Sequence, residues 1–284
     1  MNVMMKYVLK CLPHHAITNL VSLFMKSKIS RFAIPAYVKW YNIDLSHVEK
    51  PVEQYRSLNE FFKRKLIPYA RPIDQNNDTF ISPADGLIKQ VGRIDNGQII
   101  QAKGVSYSVD QLLADEERAK FFQNGTYMTI YLSPKDYHRI HAPIDGTITD
   151  FSYIPGRLYP VNDHGVESIE GVYSKNERLT TFMRTPVGQV AVVKVGALIV
   201  GSVQLAYKKQ IERVHKGKQY AEALEGSPFI HKGTEMGHFE FGSTVILLFE
   251  EDQIDLLQSI QPGTDIKVGE PIGYKMEQLK RKVE

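Results

Sequence analysis

From about residue 79 onward the chain consists of short runs rich in β-branched and aromatic residues, each ended by glycine, proline or an Asp-Gly pair. Strands at this density are typical of an antiparallel sandwich or barrel. One stretch with a helical pattern interrupts them at 109–122, and Ser108 is its predicted N-cap. The predicted strands are 86–91, 98–102, 127–132, 146–153, 189–195, 197–207 and 244–249.

The first quarter of the chain has a different character. Residues 1–72 carry twelve Lys and Arg against four Asp and Glu, a net charge of +8, whereas the remainder has 23 basic and 28 acidic residues, a net charge of −5. Apolar residues recur at helical spacing in three stretches, 17–25, 34–40 and 58–66, and the last contains Lys63, Arg64 and Lys65. Basic amphipathic helices are typical of segments that lie among lipid head groups.

These two patterns together predict an α+β chain. A helical, basic, membrane-associating segment over 1–72 would precede a β-rich, barrel- or sandwich-like catalytic domain over 73–284. For any single helix the alternative is that its apolar stripe packs on the protein's own core. Nucleic-acid binding is less favoured, because the aromatic residues sit in apolar stripes and no helix-turn-helix or RNP pattern is present.

Several other classes of protein are excluded or disfavoured. No apolar run approaches the roughly 18 residues that a membrane-spanning helix needs, and no small-residue cleavage site follows the early apolar run, so we expect no transmembrane segment and no removed signal peptide. The single cysteine, Cys11, excludes an intramolecular disulfide framework and a Cys-rich zinc site. No Walker A loop or dinucleotide-binding glycine pattern is present.

Two histidines stand three residues apart in the stretch Tyr137-His-Arg-Ile-His-Ala-Pro. Such a pair suits general acid–base chemistry, because imidazole titrates near neutral pH. A metal is not predicted, since no cysteine and no clear third ligand lies nearby, and simple packing of both rings remains an alternative. The Asp-Gly pair at Asp85 recurs at Asp145 in a similar context, and two equivalent hairpin turns would explain this repeat.

The sequence Gly242-Ser243-Thr244 opens an apolar strand. Read alone, this is an ordinary turn-to-strand junction. A glycine before a serine also leaves the preceding carbonyl unshielded and lets the backbone bend. The hydroxyl of Ser243 could then attack the carbonyl of Gly242 and convert the peptide bond to an ester.

Taken together, five motifs resemble the phosphatidylserine decarboxylase family, in family order and across residues 58–250. Phe241 departs from the pattern, since many members carry Leu before Gly-Ser-Thr. The motifs are Ser82-Pro-Ala-Asp-Gly, Tyr137-His-Arg-Ile-His-Ala-Pro, Asn176-Glu-Arg, Val195-Gly-Ala-Leu-Ile-Val-Gly-Ser and Lys232-Gly-x-Glu-Met-Gly-x-Phe-x-Phe-Gly-Ser-Thr.

The resemblance implies a proenzyme that cleaves itself between Gly242 and Ser243. The products would be a β chain of residues 1–242 and an α chain of residues 243–284, which would remain together as a heterodimer. Asp85, His141 and Ser243 would form a triad like that of serine proteases. Ser243 would become a covalent pyruvoyl group, and His138 would protonate the carbanion or handle the substrate carboxylate.

The resemblance also implies the substrate and the setting. Phosphatidylserine in an anionic membrane would be converted to phosphatidylethanolamine in phospholipid biosynthesis, with the pyruvoyl group serving as the electron sink, as pyridoxal phosphate does elsewhere. The enzyme would be a peripheral membrane protein on the cytoplasmic face of the cell membrane, without a metal, and the family suggests a homodimer. Two alternatives stay open: pyruvoyl chemistry on another amino acid or phospholipid, and an inactive relative that only binds membranes.

Overall fold

Antiparallel strands dominate the computed structural model, which describes residues 14–102, 104–197, 203–207, 218–239 and 243–276. The strands, numbered in chain order, are Thr79–Ile81 (β1), Gly86–Arg93 (β2), Gln98–Ala102 (β3), Val105–Ser108 (β4), Thr126–Leu132 (β5), Arg139–His141 (β6), Gly146–Ile154 (β7), Arg178–Thr185 (β8), Gly188–Val195 (β9), Val203–Leu205 (β10), Tyr220–Ala223 (β11), Phe229–Ile230 (β12), Glu235–Phe239 (β13), Ser243–Phe249 (β14), Ile254–Leu256 (β15), Asp265–Ile266 (β16) and Pro271–Lys275 (β17).

The helices are short and lie mostly in the first half of the chain. They are His14–Lys26 (α1), Ile34–Tyr41 (α2), Leu58–Phe62 (α3), Val109–Leu113 (α4), Glu116–Lys120 (α5), Asp163–Ser168 (α6) and Val172–Lys175 (α7), with 3-10 turns at Lys28–Ala33 and Val52–Gln54. Of the described helices, none is both long and apolar enough to span a bilayer. The α+β class predicted from the sequence is confirmed.

The largest sheet runs in the order β11-β7-β8-β9-β14-β5-β2-β16, and β12 pairs with the start of β7. Its central strand β14 pairs antiparallel with β5 on one side and β9 on the other. All seven residues of β14 are buried, because both faces of the sheet are covered. The sheets of the described residues do not close into a barrel, so of the two predicted architectures the layered one is found.

Two hydrophobic cores lie on opposite faces of this sheet. Ile246 and Leu248 point into a core shared with the N-terminal helices, while Val245 and Leu247 point into a core shared with the smaller sheets β1-β17-β15 and β10-β13-β6. This alternation follows from the two-residue period of a strand. One of these smaller sheets leads to the candidate site, because β6 contains His141 and β13 belongs to the motif that begins at Lys232.

Helix α3 packs into the first core, which corrects part of the membrane prediction. Leu58, Phe61 and Phe62 are buried, and burial of each such side chain contributes about 1.5–3 kcal/mol. Arg64, predicted to face the membrane with Lys63 and Lys65, is also buried, with 4% of its surface exposed. The apolar face of α3 and the Arg64 side chain are therefore part of the protein's own core, whereas Lys65 is exposed. The domain boundary at 72/73 stays a prediction.

Helices α1 and α2 behave differently, since much of their apolar surface faces outward. On α1 the buried side chains include Thr18 and Ser22, whereas Leu20, Leu23 and Phe24 are exposed. The outward-facing apolar side chains that follow are Ile29, Phe32 and Trp40, the last with 84% of its surface exposed. Packing on the protein's own core thus does not account for these stripes.

The predicted strands at 86–91, 98–102, 127–132, 146–153, 189–195 and 244–249 are all confirmed within a few residues. Of 197–207, only Val203–Leu205 is a described strand, and 198–202 lie outside the described residues. The single helix predicted over 109–122 is wrong. Ala114 adopts a left-handed conformation that ends α4, and the Asp115 side chain then caps α5, while Ser108 caps α4 as predicted.

Candidate active site

The two repeated turns lie side by side and bring the segments of Asp85 and His141 together. The backbone N–H of His141 donates to the carbonyl of Pro83 at 2.8 Å, and that of Ile81 donates to the carbonyl of Pro143 at 2.9 Å. Asp85 therefore lies two residues from a direct backbone contact with His141. The equivalence of the two turns extends to their carboxylates, because Asp85 accepts from the N–H of Val268 at 2.9 Å and Asp145 from that of Lys232 at 2.6 Å.

Asp85 is buried and held by Arg71. The Nε of Arg71 donates to both carboxylate oxygens at 2.9 Å, and its Nη2 donates to Oδ2. This two-nitrogen contact is the strong geometry of guanidinium–carboxylate pairs. Among the hydrogen bonds of the described residues, none joins Asp85 to His141. Asp85 acts on His141 through its charge, which works to raise the pKa of the imidazole.

The ring of His141 is fixed from both of its nitrogens. Nδ1 lies 2.7 Å from the carbonyl oxygen of Gly233. Because a carbonyl can only accept, Nδ1 must carry the hydrogen, and in the neutral ring Nε2 is then the acceptor. The hydroxyl of Tyr137 lies 3.2 Å from Nε2 and donates to it. His141 is thus held with its basic lone pair on Nε2.

Burial is the main influence on the pKa of His141, and it lowers that pKa from its ordinary value. The bond to Gly233 and the charges of Glu235 and Asp85 oppose this effect, whereas Arg139 adds to it. The neutral form of His141 is therefore favoured at neutral pH, which is the form that can accept a proton.

The position of Gly233 depends on its neighbours. Its φ is +80°, a left-handed conformation that favours glycine, and a Cβ there would lie 2.8 Å from the Ile73 side chain. Its N–H donates to the carbonyl of Ala142 at 2.9 Å. The preceding residue, Lys232, has its N–H held by Asp145. Together these contacts place the Gly233 carbonyl against Nδ1 of His141.

His138 lies in a separate, fully enclosed environment. Its ring packs on Phe62, with centroids 4.0 Å apart, and its Nδ1 lies 2.8 Å from the carbonyl of Asp136. Nδ1 therefore carries the hydrogen, and the buried Nε2 has no hydrogen-bond partner in the structure. Burial lowers the pKa of His138 to about 3, so the ring is neutral at neutral pH.

Ser243 is the first residue of β14 and is fully buried. Among the described residues its hydroxyl has no hydrogen-bond partner, which is uncommon for a buried polar group and is often a mark of function. In the sheet it pairs with Leu132, six residues before His138. Phe239, four residues before Ser243, donates its N–H to the carbonyl of His138 at 3.0 Å. Four Cα–Cα steps span at most about 15 Å, so the Cα of Ser243 lies within that distance of the Cα of Phe239.

Gly242, the other half of the predicted cleavage site, lies outside the described residues. Sequence reasoning did not identify Arg71, Gly233 or Tyr137 as parts of the site. Tyr137 stands next to His138 in a motif already singled out, and four-residue spacing from His141 was a signal for it. Gly233 also lies in a motif already singled out, but it acts through its main-chain carbonyl, which residue type does not reveal. Arg71 is outside the five motifs and acts by a side-chain pair with Asp85 that the sequence does not indicate. Within the described residues no three His, Cys, Asp or Glu side chains are grouped in a way that could hold a metal ion.

Comparisons with known proteins place this geometry in context. Residues 58–274 match the family model described as phosphatidylserine decarboxylase. The chain is 45% identical to the phosphatidylserine decarboxylase proenzyme of Brevibacillus brevis, over 93% of this chain and 95% of that protein. It is 41% identical to the proenzyme of Myxococcus xanthus, over 94% of this chain and 96% of that protein.

Proposed function

The chain belongs to the phosphatidylserine decarboxylase family and is an enzyme of that type, and we propose that it matures by cleaving itself between Gly242 and Ser243. The mature form would use a pyruvoyl group made from Ser243 to convert phosphatidylserine to phosphatidylethanolamine. The observation that carries the proposal is the buried Ser243 hydroxyl without a partner, at the start of the central strand.

Self-cleavage begins when Ser243 Oγ attacks the carbonyl carbon of Gly242. The C–N bond breaks as the C–O bond forms, and the amide becomes an ester with a free amino group on residue 243. Loss of the Cα proton then expels the Gly242 carboxylate and leaves a dehydroalanine. Water then hydrolyses the dehydroalanine, its nitrogen leaves as ammonia, and the new N-terminus carries a ketone at the former Cα.

His141 is the proposed base for this sequence. Its Nε2 lone pair is the acceptor of the neutral ring, because Nδ1 donates to Gly233, and the Ser243 hydroxyl would replace that of Tyr137 as the donor to Nε2. Transfer of the Ser243 proton leaves a positive imidazolium, which the nearby carboxylate charge of Asp85 stabilises. Asp85 would thus serve the triad by charge while Gly233 fixes the ring, and Arg71 holds the carboxylate in place.

The residues around Ser243 fit the pyruvoyl group that it would become. The hydroxyl is surrounded by protein and makes no hydrogen bond that conversion to a ketone would break. When present, the group supplies a carbonyl that takes up the electrons left as carbon dioxide departs. The α chain stays in place after cleavage, because β14 is hydrogen-bonded along its length to β5 and β9.

His138 is suited to carry a proton during turnover. Its neutral ring presents a lone pair on Nε2. Because burial lowers its pKa to about 3, the ring takes up a proton only when an anionic group of the bound substrate lies beside it and raises that pKa. The protonated ring would then donate to the carbon that loses carbon dioxide, which is the first of the two roles considered for this residue.

The outward apolar face of α1, α2 and the turn between them is the proposed membrane-binding surface. Leu20, Leu23, Phe32 and Trp40 would enter the head-group region, where Trp is favoured. The exposed cations Lys26, Lys28, Arg31 and Lys39 lie in the same elements and would bind anionic lipid, at about 1 kcal/mol each. The enzyme would then work at an anionic surface such as the cytoplasmic leaflet.

The direct test is conversion of phosphatidylserine in vesicles by the purified chain, with the lipid product identified by mass spectrometry. Wild-type protein is expected to release carbon dioxide and form phosphatidylethanolamine, whereas Ser243→Ala is expected to do neither. Equal conversion by the two proteins would contradict the proposal.

A further inference from the structure

Arg64 is a buried cation whose charge no acidic side chain neutralises. It follows α3 directly and has 4% of its surface exposed, although its neighbour Lys65 is exposed. Burial lowers the pKa of its guanidinium, but that pKa starts so high that the group stays charged at neutral pH. Buried charges without a partner are costly, and proteins seldom keep them without a use.

Its hydrogen bonds use only one of three nitrogens. Nη2 donates to the carbonyls of Lys135 at 2.6 Å and Asp136 at 3.1 Å. Nε and Nη1 are buried and have no hydrogen-bond partner in the structure. The N–H groups of Nε and of Nη1, which point in different directions, are therefore unused.

None of the described charged and titratable groups around Arg64 accepts a hydrogen bond from its Nε or Nη1. The Asp136 carboxylate accepts instead from the N–H and the hydroxyl of Ser133, both at 2.7 Å. Asp85 acts on Arg64 only through charge and is hydrogen-bonded to Arg71. The remaining neighbours are the phenols of Tyr37 and Tyr55 and the ring of Phe61, whose centroid lies 5.2 Å from Cζ of Arg64.

Arg64 is also tied to the proposed proton carrier. The carbonyl of Asp136 accepts from both Arg64 Nη2 and His138 Nδ1, so the two side chains share one acceptor. Phe62, two residues before Arg64, packs on the His138 ring. The unused donors of Arg64 and the unused Nε2 of His138 thus lie in one buried region, beside the segment that pairs with Ser243.

We propose that Arg64 binds an oxyanion of the substrate head group, either its carboxylate or its phosphodiester, through Nε or Nη1. This inference rests on the proposed function and adds a substrate-binding residue to it. Both parallel N–H pairs of a guanidinium include Nη2, which the carbonyls of Lys135 and Asp136 occupy, so the anion is bound by a charge-assisted hydrogen bond from one of the two unused nitrogens. Ser243 is itself fully buried, so substrate binding requires side chains to move around the site, and such movement gives access to Arg64.

The test compares self-cleaved wild-type enzyme with Arg64→Gln, Arg64→Lys and the control Lys65→Gln, which removes the same charge from an exposed position. Water-soluble, short-chain phosphatidylserine is the substrate. Glycerophosphoethanolamine and L-serine are the competitive inhibitors, since the first has only the phosphodiester and the second only the carboxylate. Loss of charge-assisted hydrogen bonds predicts that Arg64→Gln raises KM by about ten- to a hundred-fold, while Lys65→Gln leaves it unchanged.

The inhibitors identify the anion. Weaker inhibition of Arg64→Gln by glycerophosphoethanolamine assigns the phosphodiester, and weaker inhibition by L-serine alone assigns the carboxylate. Unchanged KM and inhibition constants overturn the proposal, and so does failure of both Arg64 variants to self-cleave, which would make Arg64 a residue of folding and maturation. An inactive wild-type chain would instead contradict the proposed function. Direct binding of glycerophosphoserine would then still decide whether Arg64 binds the anion.

Discussion

The carbonyl oxygen of Gly233 lies 2.7 Å from Nδ1 of His141 and thereby sets which nitrogen of the ring is basic. In the familiar serine-protease arrangement a carboxylate receives this hydrogen. Here the predicted carboxylate of the triad, Asp85, is hydrogen-bonded to Arg71 and to the backbone of Val268. A main-chain carbonyl orients the imidazole, and the carboxylate contributes its charge.

Replacing Asp145 by Ala is expected to slow self-cleavage about tenfold or more. The change removes the acceptor of the Lys232 N–H, which helps hold the Gly233 carbonyl against His141. The rate is measured by following the intact chain on denaturing gels during synthesis in vitro. His231→Ala is the control, because His231 is an exposed neighbour of the same carboxylate. Equal cleavage rates for Asp145→Ala and wild type would show that this support is unnecessary.

The two histidines are expected to fail at different steps. His141→Ala should leave the chain intact, because no base remains for Ser243. His138→Ala should still cleave but lose about a hundred-fold or more in turnover, the usual size of an acid–base contribution. Gels report cleavage and carbon dioxide release reports turnover for the same samples. If the His138→Ala chain stayed uncleaved, or if the His141→Ala chain were cleaved, this division of roles between the two histidines would be contradicted.

Acid is expected to destabilise the protein through His138. Its pKa is lowered to about 3 in the folded state, against about 6.5 unfolded, so the unfolded chain binds more protons as the pH falls through this window. Its contribution to stability is therefore complete above pH 6.5 and is lost towards pH 3. Between pH 7 and pH 5 the loss is about 2 kcal/mol.

This pH effect is measured by urea unfolding of the uncleaved Ser243→Ala protein, with and without His138→Gln. His138→Gln should remove most of the pH dependence of the unfolding free energy that comes from His138. If the unfolding free energy changed equally with pH in both proteins, His138 would not titrate as its burial requires.

Vesicle binding should depend on the exposed apolar side chains of the first helices. Replacing both Phe32 and Trp40 by Ser is expected to weaken binding to anionic vesicles about tenfold or more, since two large exposed side chains lose their apolar surroundings. Sedimentation with vesicles at low and high salt measures this. Phe229→Ser is the control, because Phe229 is an exposed aromatic on strand β12. An equal loss of vesicle binding by Phe229→Ser would contradict the assignment of membrane binding to α1, α2 and the turn between them.

Much of the fold was predictable because strand patterns are local. The runs around Ile130 and Leu247 either alternate apolar with polar residues or are apolar throughout, over six or seven residues. The ends of such strands were predicted to within a few residues. The end of α4 at Ala114 was missed, because alanine favours helices and nothing local requires its left-handed conformation. Arg64 was misplaced for a related reason, since only tertiary packing decides that a cation in a basic cluster is buried.

The site was predictable where chemistry depends on residue type, and less so where it depends on the backbone. Ser243, His138 and His141 stand in motifs that can be read from the sequence, and their roles remain proposals. The part played by the Gly233 carbonyl has no residue-type signal, because every residue has a carbonyl. The ion pair between Arg71 and Asp85 becomes visible only when the turn and the preceding loop are placed in space.

Intact-mass measurement of the purified protein tests the central claim most directly. Self-cleavage at Gly242–Ser243 predicts two chains, the smaller one beginning at residue 243 and lighter than its sequence by one ammonia, the mass lost when a serine becomes a pyruvoyl group. The Ser243→Ala protein should give one intact chain. A wild-type protein that remains a single chain of 32.4 kDa with an unmodified Ser243 would contradict the account.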